Sequence, residues 1–386
     1  MSKLEELIQQ YCPDGVEYKK LEECCQILDN KRKPITKGAR VAGEYPYYGA
    51  NGVQDYVADY IFDGKYVLVG EDGSVITPSG TPVVNWAEGK IWVNNHAHII
   101  CEKEGVLLRY LFHYLQTINI TPLIHGNIPK LTGGDFRALT IPVPPLPVQE
   151  EIVRILDNFA ELQAELQAEL QKRLQQYNYY RDNLLSFEGR TDVEWKKLGE
   201  IATFTYGYTA KADDCGEVRY IRITDINDGG CLTPDNGKYI SYTQDVEPYL
   251  LKKGDLVMAR TGATYGKTLY YNENYSSAYA SFLIKINLQD LVNPRFYWHF
   301  SKSNLYWEQA RKLVGGGAQP QFNTGAISQI KIPLLPLTEQ QRIVEILDRF
   351  DTLTNDITAG LPAEIVARRK QYEYYRDQLL TFKQKA

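Results

Sequence analysis

No two of the six cysteines (Cys12, Cys24, Cys25, Cys101, Cys215, Cys231) stand in a Cys-x-x-Cys spacing. That removes the usual zinc-ribbon and dithiol motifs, and a chain of 386 residues has core enough without disulfide staples, so reduced thiols are expected. No stretch approaches the ~18 uninterrupted apolar residues that a membrane span requires. The N-terminus, Met1-Ser2-Lys3-Leu4-Glu5-Glu6, has no apolar signal core, so a cytoplasmic location and no membrane partner are expected. A basic surplus is also missing. The net charge is −5, with 16 basic and 15 acidic residues over 191–331 against 14 and 17 over 1–140, so any DNA-facing surface must be a local patch.

Catalytic motifs fail one by one. Thr261-Gly262-Ala263-Thr264-Tyr265-Gly266-Lys267-Thr268 imitates a phosphate-binding loop but has Thr261 where the first glycine belongs, and reads better as a basic turn with Arg260 and Lys267 exposed. Asp14-x-x-Glu17-x-Lys19 is too tightly spaced for a metal-dependent nuclease, and Asp192-Val193-Glu194-Trp195-Lys196 repeats it as scaffold. His96-Ala97-His98 with Cys101 offers three zinc ligands but no fourth; a packed or hydrogen-bonding pair is the alternative, and neither metal nor bound cofactor is expected. Asn293-Pro294-Arg295-Phe296 has arginine where an amino-methyltransferase needs a second proline. No catalytic residue is therefore assigned.

What is present is a duplication. Ile141 to Phe159 recurs without gaps as Ile332 to Phe350, with 11 of 19 positions identical. Tyr177-Asn178-Tyr179-Tyr180-Arg181-Asp182 returns as Tyr372-Glu373-Tyr374-Tyr375-Arg376-Asp377, and Val16-Glu17-Tyr18-Lys19-Lys20-Leu21 as Val193-Glu194-Trp195-Lys196-Lys197-Leu198. Between these ends the two copies diverge, as one scaffold carrying two payloads would.

The repeated tails read as helices. From Gln149 to Phe187, apolar residues recur every three to four positions with no Gly or Pro, over about 58 Å at 1.5 Å per residue. The centre is the tetrapeptide Ala160-Glu161-Leu162-Gln163, present three times to Gln171. The second tail, Glu339 to Phe382, has Gly360-Leu361-Pro362, which should break or kink it. The variable middles are strand-rich: Tyr66–Val69, Ile91–Val93, Ile99–Ile100, Leu256–Met258 and Phe282–Ile286, with short helices at Leu107–Gln116 and Pro294–Leu313. The expected class is α+β: two mixed α/β domains (1–145 and 190–335) separated by two long helices (146–189 and 336–386) pairing as an antiparallel coiled coil, in a pseudo-twofold internal repeat. Homodimerising coiled coils with unrelated heads are the other arrangement these residues allow.

The chain resembles the specificity subunit of type I restriction-modification systems. The repeated Pro-x-Gln-x-x-Ile-Val-x-Ile-Leu-Asp tails carry the resemblance most strongly, joined by Tyr45–Gly52, Tyr60–Gly64, Glu71-Asp72-Gly73 and Asn94–His98 in the first half and by Arg260-Thr261-Gly262 and Gly315–Pro320 in the second. The resemblance implies two target recognition domains on split double-stranded DNA, two methyltransferase subunits on the helices, and two restriction/translocase subunits. S-adenosylmethionine, ATP and Mg²⁺ would then belong to the partners. Arg and Lys can bridge phosphates or read guanine, and Asn and Gln can read adenine. The candidate readers are Lys31, Arg32, Lys33, Lys37, Arg40, Tyr47, Tyr48, Asn51, Asn94, Asn95 and Lys130 in the first domain. In the second they are Tyr206, Lys211, Arg222, Arg260, Thr261, Lys267, Gln319 and Gln321. Solvated loops, core aromatics and turn formers are the competing roles for these residue types. A scaffold without a DNA role and a stand-alone DNA-modifying enzyme are the alternative functions; salt-dependent DNA affinity argues against the first, and lack of methyl transfer by the isolated chain against the second.

Overall fold

The computed structural model describes residues 2–187, 190, 193–233, 236–314, 321–356 and 358–385. They form two compact units, Met1–Glu165 with Val366–Ala386, and Leu166–Ile365. Among the described residues no helix is long and apolar enough to cross a membrane. One uninterrupted helix, Leu146–Leu184, contributes its first half to unit 1 and its second half to unit 2. The C-terminal tail is two helices, Leu337–Asn355 and Leu361–Leu379. The break comes just before the expected Gly360: the Asp356 carboxylate accepts from Thr358 N and Oγ1 at 2.7 and 2.6 Å, and Gly360 follows with φ +96°.

Along the central helix the partners in the C-terminal tail run backwards. Phe159 meets the rings of Tyr372 and Tyr375 in unit 1, while Tyr177 and Tyr180 meet Phe350 in unit 2. This is the expected antiparallel pairing. Its central leucines stay partly in water, Leu162 being half exposed, and burial is strongest at the helix starts, at Ile152 and Leu156 and at Ile343 and Leu347.

Each unit has a two-stranded base of the same design. Glu17–Lys20 pairs antiparallel with Thr140–Val143, and Glu194–Lys197 with Lys331–Leu334 in the same register. Glu17 and Lys19 of the nuclease-like pattern thus lie on a scaffold strand, with Asp14 in the turn before it; Asp192 of the second copy lies outside the described residues. In unit 1 the terminal segments are also joined: Val16 N donates to Lys383 O at 2.9 Å and Tyr18 Oη to Phe382 O at 2.7 Å. Gly15 (φ +104°) is required there, since a Cβ would lie 2.4 Å from Lys383 O.

Above the base the sheets differ. Unit 1 has six strands in the order Gln26–Ile27, Ala97–Cys101, Phe62–Gly70, Val84–Val93, Ala42–Gly49, Gly52–Val57. Unit 2 has a four-stranded sheet (Ala202–Tyr206, Leu283–Leu288, Leu256–Ala259, Thr268–Tyr270) and a three-stranded one (Lys238–Ile240, Val218–Ile221, Ser277–Tyr279). The first of the expected short helices is Leu108–Leu115. The expected Pro294–Leu313 helix is two, Pro294–Phe300 and Asn304–Leu313, because the Ser303 hydroxyl accepts from Tyr306 N at 3.2 Å and caps a new helix.

A buried polar network, present twice, clamps each domain to the helices. Gln149 accepts from Leu107 N at 2.9 Å and donates to Gly105 O and Pro144 O at 3.1 and 2.7 Å. Gln340 accepts from Asn293 N at 2.8 Å and donates to Leu291 O and Leu335 O at 2.9 and 2.8 Å. One turn or two further on, Asp157 accepts from Arg109 Nε and His113 Nε2, both at 2.8 Å, as Asp348 does from Arg295 Nε (2.8 Å) and His299 Nε2 (2.7 Å). Each imidazole is completed by a tail tyrosine, Tyr372 on His113 at 3.3 Å and Tyr177 on His299 at 3.1 Å. With Nε2 donating to carboxylate, Nδ1 is left to accept from the phenol, so the neutral tautomer satisfies every bond.

Burial pushes His299 down to about 4 and lowers His113, despite the carboxylate beside each. Burial alone would raise Asp348 and Asp157, but their imidazole and guanidinium donors outweigh it and hold both below the carboxylate range. The unfolded chain binds a proton at residue 299 near pH 6.5 and the folded chain only near 4, so stability is full above about 6.5 and falls as pH drops to about 4. Urea unfolding of unit 2 should lose on the order of 3 kcal/mol over that window. His299→Gln should flatten the slope there, leaving only the carboxylate-driven loss at lower pH; an unchanged slope would show that this imidazole is not the group titrating.

Candidate nucleic-acid interface

The candidate readers Lys130, Arg260, Thr261 and Gln321 lie at the ends of two sheet strands, and both units build this place in the same way. In unit 1 the strand Phe62–Gly70 runs into Glu71, whose N donates to His96 O at 2.8 Å and whose O accepts from Leu131 N at 2.9 Å. In unit 2 the strand Leu256–Ala259 runs into Arg260, whose N donates to Phe282 O at 3.0 Å and whose O accepts from Phe322 N at 2.8 Å. Asp72 pairs with Lys130 as an isolated antiparallel bridge, and Thr261 with Gln321. Gly70 stands opposite Ala97, as Ala259 does opposite Leu283. Position for position, Glu71, His96 and Lys130 therefore correspond to Arg260, Phe282 and Gln321.

The side chains on this common frame are unlike. In unit 1, Glu71 accepts from Arg32 NH1 at 2.6 Å and lies 3.5 Å from Lys130 Nζ. Arg32 also donates to Ala97 O at 2.6 Å and Asp29 O at 2.9 Å. Asp29, Glu71 and His98 bring their ligand atoms within 4.8 Å of one another, but the Arg32 guanidinium already supplies the cation they need. Burial would raise Asp29; the His98 and Ile99 N donors outweigh it and lower this carboxyl. His98 is buried between Asp29 and Leu131 O, while exposed His96 binds Asp72, so the two imidazoles serve separate carboxylates.

In unit 2, the Arg260 guanidinium lies between the rings of Tyr206 and Phe282, 5.3 Å from each, with Nε donating to Ser281 O at 3.1 Å. Tyr206 Oη is 3.3 Å from Thr324 Oγ1. Tyr206, Arg260, Thr261 and Gln321 are thus gathered, together with Phe282, which the sequence marks only as the start of a strand.

Several candidates belong to the interior. Tyr47 is 1% exposed, with its hydroxyl on Ile35 N and O and the Arg40 guanidinium stacked 4.2 Å above its ring. Asn94, 3% exposed, holds the turn by accepting from His96 N at 2.8 Å. Neither presents a surface to a ligand. Arg40 is tied to Asp55, Arg222 to Asp225 and Lys267 to Asp228, and Arg260 and Lys267 are both only partly exposed, so they are not the exposed basic turn expected. Lys31, Lys33, Lys37, Asn51, Asn95, Lys211 and Gln321 are exposed, and Tyr48 is partly so. Among the described residues Lys31, Lys33 and Lys37 make no salt bridge. Gln319 lies outside the described residues, as does the Gly315–Pro320 motif.

Residues 13–176 and 191–367 match the sequence profile of the type I restriction modification DNA specificity domain. The chain belongs to that family. The two matched stretches are its two DNA specificity domains, and the divergent patches lie one in each. A specificity subunit of Haemophilus influenzae is 39% identical over 378 residues, covering 95% of this chain and 96% of that one. The EcoR124I/EcoR124II specificity subunit of Escherichia coli is 36% identical over 73% of this chain and 72% of its own. The crystal structure of the type I S subunit from M. genitalium has the same fold, with a TM-score of 0.59 over 95% of this chain and 96% of that one at 15% identity.

For this specificity-family chain, Arg32 is the informative residue, because a DNA reader and a buried counter-ion respond differently to loss. Arg32→Ala should destabilise unit 1 by about 2 kcal/mol in urea unfolding, since Glu71 and Asp29 lose the guanidinium that bridges them and keep only Lys130 and His98. Unchanged stability would return Arg32 to the DNA-contacting set.

Proposed function

We propose that this chain is the non-catalytic DNA-reading subunit of a type I restriction-modification enzyme, each unit reading one half of a split double-stranded target. One backbone frame built twice with unlike side chains carries this reading, because two half-sites of different sequence need two chemistries held in one geometry. Exposed Lys31, Lys33 and Lys37 would sit on phosphates, with Asn51, Asn95 and Lys130 at base edges beside them. Tyr206, Arg260, Thr261, Gln319 and Gln321 would do the same work in unit 2, Lys211 supplying a further phosphate contact. Arg40, Arg222 and Lys267 would support these loops through their carboxylate partners. The long helices would receive two methyltransferase subunits, with two restriction/translocase subunits joining them; a solved structure of similar fold (TM-score 0.54), described in terms of complex assembly of the type I R-M system, supports this docking role. S-adenosylmethionine, ATP and Mg²⁺ would be held by those partners, and the target adenine would leave the stack for their pocket while this chain anchors the flanking duplex.

Mapping methylated adenines in DNA treated with the chain and its co-encoded methyltransferase should yield a split motif with one fixed gap. A stable complex that methylates nothing would favour the scaffold role. Deleting Ala164–Gln167, one tetrapeptide of about 6 Å, should shorten the gap by one or two base pairs and leave both half-sequences unchanged. An altered half-sequence with the same gap would refute the ruler.

A further inference from the structure

Phe282 has a position and a chemistry that base-edge reading does not account for. It is 52% exposed at the tip of a tight turn, where Leu283 N donates to Ala280 O at 2.8 Å and Arg260 N to Phe282 O at 3.0 Å. The Arg260 side chain fixes the same turn through Ser281 O, and its guanidinium flanks the ring. An apolar ring is thus held rigidly in water beside a cation whose terminal amino groups have no partner among the described residues. At the corresponding place unit 1 has His96, bound to Asp72. A benzyl group cannot donate to or accept from a base edge, and it gains most by leaving water between stacked planes.

We propose that Phe282 is a wedge that enters between two adjacent base pairs of the half-site facing unit 2, with the Arg260 guanidinium seated on a flanking phosphate. This rests on the DNA-reading role proposed above and deepens it: the second half-site is read partly through how readily one base step opens, the first half-site is not. Flexible pyrimidine–purine steps are the class of sequence such a wedge selects.

The test uses the chain in complex with its methyltransferase subunits and duplexes carrying 2-aminopurine at successive positions of the mapped motif. One position in the second half-site, apart from the methylated adenine and its neighbours, should brighten on binding, with no counterpart in the first. Phe282→Ala should abolish that signal and weaken binding about tenfold, Phe282→Leu should retain part of both, and thermal stability should not change. A mismatch at the responding step should tighten binding by the parent chain more than by Phe282→Ala. If Phe282→Ala weakens binding but no position brightens, the ring is a surface contact and the wedge is overturned. If Phe282→Ala behaves as the parent while Arg260→Ala weakens binding, the wedge falls and the DNA-reading patch stands; if neither variant alters binding, the patch falls as well.

Discussion

Each domain is tied to the helices by a fully buried imidazole, His113 or His299, held by a half-buried aspartate of the long helix. The imidazole nitrogens lie where water cannot substitute for a missing partner, so each network holds only when the aspartate and the tyrosine are both in place. The members come from three parts of the chain: the short helix of the domain (Arg109 and His113, or Arg295 and His299), the start of the long helix that follows it, and a tyrosine from the tail of the other copy. That requirement explains why the duplicated ends stay alike. A change in one tail tyrosine leaves an imidazole nitrogen of the other copy's short helix, within the same unit, unsatisfied, at a cost of about 1–3 kcal/mol.

With the base so determined, the rest of each domain is free to change. Six strands stand on one base and a split pair of sheets on the other, yet each delivers its third segment to the same place by the same two backbone hydrogen bonds. Backbone bonds are indifferent to side-chain identity, so a buried Glu71–Arg32 pair can occupy one frame and an Arg260 held between two aromatic rings the other.

The repeat, the helices, the tail break and the central strands were legible because periodicity and duplication are local patterns. The two-helix form of Pro294–Leu313 was not, because Ser303 reads equally well as helix interior and as cap. At the candidate interface, Lys31, Lys33 and Asn95 were legible as polar turn residues, whereas Tyr47 and Asn94 carry the same letters and are buried. Gln149, Asp157 and His113 were missed as a network, since the Arg-x-x-x-His spacing of Arg109 and His113 gains meaning only beside a second helix.

By itself the sequence determined that one scaffold occurs twice, with helical tails, constant ends and variable middles, because these follow from spacing along the chain. Tertiary structure alone decided which charges are neutralised within the protein and which face outward. Arg32 and Lys31 are neighbours in sequence, yet one is enclosed by Glu71 and Asp29 and the other stands in water. The free energy of a charge is set by what surrounds it in space, and those surroundings come from segments 39 and 65 residues away along the chain.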